Sequence, residues 1–189
     1  MPRTKRLSDE QVLEGALKLL HESGPEALTF ESVARACGLS AATLVQRFKN
    51  KAGLKQSTLL LAWDRLDEKT EQLAATVPKT PDGAVELLVA LSSDYGGIEA
   101  YAEGLLVLRE DLRDPILRAR GAAWKAALST ALEDCFSQVR RAPQGIGLLT
   151  ASQWQGSLLW WSFDPEGSVE SYVEASLRRF IYAIVVSGS

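Results

Sequence analysis

The sequence predicts an all-α protein in which a small helix-turn-helix domain is followed by a larger helical domain. Apolar residues recur at helical spacing along most of the 189 residues, and no alternating pattern is long enough to build a sheet. Between residues 28 and 54, two short helical segments are joined by a glycine turn and followed by a third helix. The predicted domains are residues 1–50, with a basic arm at 1–7, and residues 51–189.

The first helix is predicted to begin after Ser8, because Ser8 and Gln11 have the spacing of a capping box. The arm before it carries three basic residues: Arg3, Lys5 and Arg6. Basic arms of helix-turn-helix domains reach phosphates or the minor groove, which is the interpretation favoured here. The alternative is an ordinary basic terminus.

The second and third helices form the helix-turn-helix. Thr29 is placed to cap the second helix, and Gly38 to end it, since glycine takes the left-handed conformation without a Cβ penalty. Ser40 caps the third helix, in which Leu44 and Phe48 are four residues apart and face inward together. The pattern therefore predicts a third helix with one buried face and one open face.

The open face of the third helix has the composition of a surface that reads DNA. Small residues let the backbone approach a base edge, and polar or basic side chains donate to bases and phosphates. The residues predicted to read bases are Ala41, Thr43 and Gln46. The residues predicted to hold phosphates are Thr29, Ser40, Arg47, Lys49 and Lys51. The alternative is a solvated face on a structural helical hairpin.

In order and spacing, residues 12–54 resemble the DNA-binding domain of the TetR family of one-component bacterial regulators. The motifs that carry the resemblance are Gly24, Thr29, Gly38-Leu39-Ser40, Phe48-Lys49-Asn50-Lys51 and Leu54. The resemblance implies a homodimeric regulator, usually a repressor, that binds an inverted-repeat operator in double-stranded DNA and is released by a small-molecule effector. Val45 stands where the family usually has a tyrosine that reaches the DNA backbone, so that hydroxyl contact is missing from this part of the predicted DNA site.

The charge distribution agrees with a DNA-binding N-terminal domain. Residues 1–56 hold nine Lys or Arg and six Asp or Glu, a net charge of +3, whereas the whole chain has a net charge of −3. The remaining residues therefore carry −6, and repulsion keeps them away from a phosphate backbone.

Neither a disulfide framework nor a metal site is indicated, because Cys37 and Cys135 lie far apart in apolar helical patterns. No cofactor is predicted. A signal peptide and a membrane-spanning segment are not expected, so the predicted location is the cytoplasm, with no membrane partner.

The C-terminal domain is predicted to begin within a long helix that Asn50 caps and that runs to about residue 75. Two prolines break the chain at Pro78 and Pro81, and Thr80 caps the helix that follows. Further helices are expected at about 98–112, 115–139, 146–162 and 168–187.

The last two helices carry the signal for self-association, because each has an apolar stripe with coiled-coil-like steps of three and four. The stripe residues predicted to form a homodimer interface are Leu149, Ser152, Gly156, Leu159, Phe163, Val173, Leu177, Phe180 and Ile184. The alternative is that both stripes pack only on the core of their own chain.

A regulatory ligand would bind among large side chains of the C-terminal domain. The predicted lining residues are Tyr95, Tyr101, Leu105, Trp124, Leu128, Trp154 and Trp160. Their aromatic character favours an apolar or planar organic molecule. The alternative is that these side chains are ordinary core.

Enzyme function is not expected, because His21 is the only histidine and no phosphate loop or nucleophile arrangement accompanies it. A helical ligand-binding or protein-interaction module that has lost DNA binding is the remaining alternative.

Overall fold

The structure, a computed structural model, describes residues 7–93 and 96–186, and these residues form α-helices without any strand. The predicted all-α fold is confirmed. In the described ranges the helices are α1 (Asp9–Ser23), α2 (Phe30–Cys37), α3 (Ala41–Phe48), α4 (Lys51–Thr76), α5 (Pro81–Ser92), α6 (Ile98–Arg113), α7 (Pro115–Cys135), α8 (Ile146–Phe163) and α9 (Val169–Val186). None of the helices that can be described is long and apolar enough to cross a membrane.

The chain divides into two compact units. The first consists of residues 1–65 with 103–121, and the second of residues 66–102 with 122–189. The unit that contains the helix-turn-helix therefore includes the first part of α4, most of α6 and the start of α7, whereas the sequence places a domain boundary at residue 50. The difference arises because α6 packs against α4 through side chains far away in sequence.

A continuous apolar core holds the first unit together. Leucine, valine and phenylalanine side chains from α1, α2, α3 and α4 meet in it, and α7 adds Leu117. Removing these side chains from water is the main favourable term for the folding of this unit. The members that are at most 1% exposed are Val12, Ala16, Leu20, Leu28, Val33, Leu44, Leu54 and Leu59.

Polar side chains join α4 to α6 inside the first unit. The Lys55 ammonium donates to the Glu110 carboxylate at 2.6 Å, and this hydrogen bond lowers the pKa of Glu110. The Trp63 indole N–H donates to Asp111 at 3.3 Å. Asp111 is buried, and burial raises the pKa of its carboxyl group to about 6. The α4–α6 contact therefore contains one favourable ion pair and one carboxylate that is costly to ionise.

In the second unit, α9 packs against both α5 and α8. This packing fully buries Val173 and Leu177 within their own chain. The sequence assigned both residues to a surface that meets a second copy, and the structure corrects that assignment. A stripe of apolar residues marks a covered face, but the spacing is the same whether the cover comes from one chain or from two.

Candidate nucleic-acid interface

The helix-turn-helix begins at Thr29, which caps α2. Its hydroxyl accepts from the Ser32 backbone N–H at 3.1 Å, and the Ser32 hydroxyl accepts from the Thr29 backbone N–H at 3.0 Å. This reciprocal capping box satisfies two backbone donors that a bare helix end would leave unpaired. Thr29 therefore has a structural role at this end of α2, in addition to the phosphate contact predicted for it.

The turn between α2 and α3 has the conformation that the sequence predicts. Gly38 is left-handed, with φ 66° and ψ 35°, and the Leu39 N–H bonds back to the Ala34 carbonyl at 2.9 Å. Ser40 caps α3, because its hydroxyl accepts from the Thr43 N–H at 3.2 Å. The Ser40 and Thr43 hydroxyls are also hydrogen-bonded to each other at 2.8 Å, so these two predicted DNA contacts are held as a pair.

Helix α3 buries one face and leaves the other open. Leu44 and Phe48 are buried in the core, whereas Val45, Gln46 and Lys49 are exposed. The predicted base-reading residues Ala41 and Thr43 are half-buried at the start of the helix. Gln46 makes no side-chain hydrogen bond to the described residues, so its amide can hydrogen-bond to a base edge.

Arg47 is held within the protein. Its guanidinium donates to the Leu7 carbonyl at 2.8 Å and lies 3.2 Å from the Asp9 carboxylate. The side chain is only 20% exposed. The sequence assigned Arg47 to phosphate binding, and the structure gives it a second role as a tie between α3 and the beginning of α1.

Lys49 occupies a strained turn between α3 and α4. Its φ of 69° and ψ of −58°, with a hydrogen bond from the Asn50 N–H to the Phe48 carbonyl at 2.8 Å, define a classic γ-turn. Asn50 then caps α4 by accepting from the Gly53 N–H at 2.8 Å. A side chain at Gly53 would collide with the Phe48 carbonyl, so glycine is required there. This tight turn begins α4 at Lys51, only two residues after Lys49.

Lys51 lies in the first turn of α4, 3.6 Å from the Glu26 carboxylate. Both side chains are well exposed, so the ion pair contributes little to stability and a phosphate can replace Glu26. A lysine in a helix's first turn opposes the helix dipole, which favours an anionic partner for it. Sequence reasoning identified Lys51 but not its partner Glu26, which lies in a short 3-10 helix (Pro25–Ala27) between α1 and α2.

A pocket of about 310 Å³ lies between α7 and α8 in the second unit. It contains three of the residues predicted to bind a ligand, Trp124, Leu128 and Trp154. The residues of its lining that the sequence did not identify are Lys125, Leu148, Ala151, Ser152 and Gln155. Of these, Ser152 was predicted to lie in the dimer interface. The sequence signal for Lys125 is that it is the charged residue directly after Trp124.

Three other predicted ligand residues, Tyr101, Leu105 and Trp160, do not line this pocket. Tyr101 is buried with its ring edge-on to Trp161, at a centroid distance of 6.4 Å. Leu105 is exposed on α6 in the first unit, and Trp160 is 67% exposed on α8. Tyr95 lies outside the described residues. Three of the six described residues therefore line the pocket and three do not, because helical spacing alone does not show which side chains face the same cavity.

Helices α8 and α9 expose large apolar side chains. Phe163 is 74% exposed, Tyr182 67%, and Leu149 and Leu159 are also exposed. Of the other predicted interface residues, Ser152 is exposed, and Gly156, Phe180 and Ile184 are half-buried. Exposed large apolar side chains on neighbouring helices are candidates for a protein–protein interface.

Comparison with known proteins supports the predicted resemblance. Residues 12–57 match the family model of the bacterial regulatory proteins of the tetR family. No protein of curated function matches the chain significantly.

Solved structures with this fold cover almost the whole chain. A transcriptional regulator from Rhodococcus sp. Rha1 is 17% identical, with a TM-score of 0.75 over 96% of this chain and 97% of that one. A putative TetR-family transcriptional regulator from Mesorhizobium loti is 20% identical, with a TM-score of 0.67 over 93% and 95% of the two chains. AibR, solved with isovaleryl coenzyme A and operator DNA, is 19% identical, with a TM-score of 0.61 over 90% and 96%. At these low sequence identities, the structural similarity establishes the fold of this chain and nothing beyond the fold.

Proposed function

We propose that this chain, whose N-terminal helices match the tetR-family model, is a DNA-binding transcriptional repressor regulated by a small molecule. The observation that carries the proposal is the open face of α3, which follows a Ser40-capped turn and presents Gln46 next to basic side chains. A helix with one buried face and one open polar face can enter the major groove. AibR, with the same fold, was solved with operator DNA, which supports the proposal.

Within this proposal, Ala41, Thr43 and Gln46 read base edges. Lys49 and Lys51, which are exposed, supply the phosphate contacts that do not depend on sequence. Thr29 caps α2, Ser40 caps α3, and Arg47 joins α3 to Leu7. All three can contact phosphates with their remaining hydrogen-bonding capacity. Val45 brings no hydroxyl to the backbone, so more of the phosphate affinity depends on the two lysines.

The functional form is proposed to be a homodimer. The stripe residues of α8, together with Phe180 and Ile184 of α9, form the contact, and a two-fold axis relates the two helix-turn-helix domains. Two-fold symmetry in the protein requires an operator with inverted half-sites about one helical turn apart or somewhat more. Residues 1–50 then serve DNA binding, and residues 51–189 serve dimerisation and effector binding.

Release from DNA is proposed to follow binding of a small molecule in the second unit. A ligand that binds one conformation more tightly shifts the protein toward it and changes DNA affinity by the same coupling energy. The apolar pocket that includes Trp124 and Trp154 supports this part of the proposal. AibR was solved with isovaleryl coenzyme A as well as DNA.

Selection of bound sequences from a random DNA pool tests the DNA-binding part. We expect an inverted repeat, and we expect Gln46→Ala to change the base preference at one or two positions of each half-site. Gln72→Ala is the matched control, because Gln72 is an exposed glutamine outside the helix-turn-helix, near the C-terminal end of α4. Enrichment of no inverted repeat would contradict the proposal and favour an interaction module without DNA binding, the alternative that Val45 supports.

Sedimentation equilibrium at micromolar concentration tests the dimer. We expect wild-type protein to sediment as a dimer and Leu159→Asp to sediment as a monomer, since a carboxylate would be buried in an apolar contact. Leu112→Asp is the control and should still sediment as a dimer, because Leu112 is an exposed leucine on α6, outside both predicted stripes. Monomeric wild-type protein would refute the dimer.

A further inference from the structure

The pocket between α7 and α8 has a closed floor and an open rim. Its floor consists of four buried residues, Trp124, Leu128, Ala151 and Trp154. Its rim consists of four exposed residues, Lys125, Leu148, Ser152 and Gln155. A small molecule on this floor would remain in contact with water on the rim side.

The floor offers carbon surface and no free hydrogen-bond donor from its indoles. The Trp124 indole N–H donates to the Thr70 hydroxyl at 3.0 Å, and the Trp154 indole N–H donates to the Ser92 hydroxyl at 2.8 Å. The two rings have centroids 6.3 Å apart and are tilted by 55°. Ring surfaces in this arrangement favour an aromatic occupant, and about 310 Å³ accommodates a small one.

One rim residue carries a charge. Lys125 forms no ion pair with any described residue, and it lies beside the apolar floor. A cation at the edge of an apolar pocket attracts an anionic group on a ligand, since the pair is partly removed from water when the pocket fills. The occupant that satisfies both the floor and the rim is an aromatic molecule with a carboxylate.

Ser152 connects the pocket with the proposed dimer contact, because it belongs to both. On α8 the pocket rim uses positions 148, 152 and 155, and the apolar stripe uses positions 149, 152, 156 and 159. Positions three and four apart lie on one side of a helix, so the two rows are adjacent and meet at Ser152. A second copy that packs along the stripe therefore lies at the open side of the pocket.

We propose that this pocket binds an aromatic carboxylate, with the ring on Trp124 and Trp154 and the carboxylate at Lys125, and that the second copy of the chain completes the site. The inference rests on the homodimer and effector parts of the proposed function. It adds the chemical class of the ligand to that proposal. It also implies that one subunit alone holds only part of the site.

Calorimetric titration of the full chain with 2-naphthoate and with neutral 2-naphthamide tests the ligand class. We expect naphthoate to bind about tenfold more tightly than the amide, and Lys125→Gln to remove that difference, as the loss of one partly desolvated ion pair requires. Lys79→Gln is the matched control, because Lys79 is an exposed lysine of the same unit outside the pocket. Equal affinity for the two probes in wild-type protein, or no binding of either, overturns the ligand class.

The role of the second copy is tested with Leu159→Asp, since Leu159 does not line the pocket. We expect the monomer that this variant forms to bind naphthoate about tenfold more weakly than the dimer. Unchanged affinity in the monomer, or a variant that still dimerises, overturns the shared site. Binding of wild-type protein to the selected operator is measured separately, so failure of the ligand proposal is distinguished from failure of the DNA-binding proposal.

Discussion

The Arg47 guanidinium on α3 donates a hydrogen bond to the main-chain carbonyl of Leu7, 2.8 Å away. The helix expected to lie on DNA is thereby joined to the residue at which the basic arm ends. A side chain expected from the sequence to act only on DNA thus also has a structural partner.

Replacement of Arg47 by alanine is expected to destabilise the protein by about 1 to 2 kcal/mol, because a charge-assisted hydrogen bond and a largely buried side chain are lost. Urea denaturation of Arg47→Ala and Arg47→Lys measures this, and lysine should restore part of the loss. Unchanged stability combined with reduced DNA affinity would instead make Arg47 a phosphate contact alone.

Replacement of Lys51 by alanine is expected to weaken binding to all DNA sequences. The slope of log affinity against log salt should fall by about one, since one phosphate contact is lost. Fluorescence anisotropy over a range of salt concentrations measures the slope. The control is Lys18→Ala, because Lys18 also forms only an exposed ion pair, with Glu22 at 3.7 Å. A slope that both variants leave unchanged would remove Lys51 from the interface.

Replacement of Lys49 by glycine is expected to raise the free energy of unfolding by about 1 kcal/mol, because the γ-turn holds a residue with a Cβ at positive φ. Lys49→Ala keeps the Cβ and should bring no gain. Both variants lose the same charge, so both should weaken DNA binding equally. Thermal unfolding separates the two effects, and equal stability of the two variants would rule out strain at this turn.

Replacement of Asp111 by asparagine is expected to stabilise the protein at pH 7.5 and not at pH 4. The pKa of the Asp111 carboxyl rises from 3.8 to about 6 on folding, so the folded state binds the proton more tightly and stability falls as pH rises through that window. The gain at pH 7.5 should be about 2 to 3 kcal/mol. The asparagine side chain can still accept the hydrogen bond from the Trp63 indole N–H. Denaturation of wild-type protein and Asp111→Asn at pH 7.5 and at pH 4 measures the difference in their free energies of unfolding.

The parts of the fold that sequence predicts well depend on neighbouring residues. Thr29, Gly38 and Ser40 act on backbone groups within five positions, so their residue types alone specify the caps and the turn. The helix-turn-helix and its open face could therefore be predicted in detail.

Other features depend on pairs that are distant in sequence and could not be predicted from local patterns. Lys55 and Glu110 are 55 positions apart, and Arg47 and Leu7 are 40 apart. The buried positions of Val173 and Leu177 likewise depend on which helices cover α9. The pocket was only partly predicted, because its floor comes from α7 and α8 together.

Because the first unit consists of residues 1–65 and 103–121, it cannot finish folding until both segments have been synthesised. A ribosome releases the helix-turn-helix early, and its local caps let those helices form while synthesis continues. The partners of Lys55 and Trp63 on α6 emerge only after the whole intervening segment has been translated. Until then, the side of α4 that will contact α6 is uncovered, and exposed surface of this kind favours aggregation of an incomplete chain.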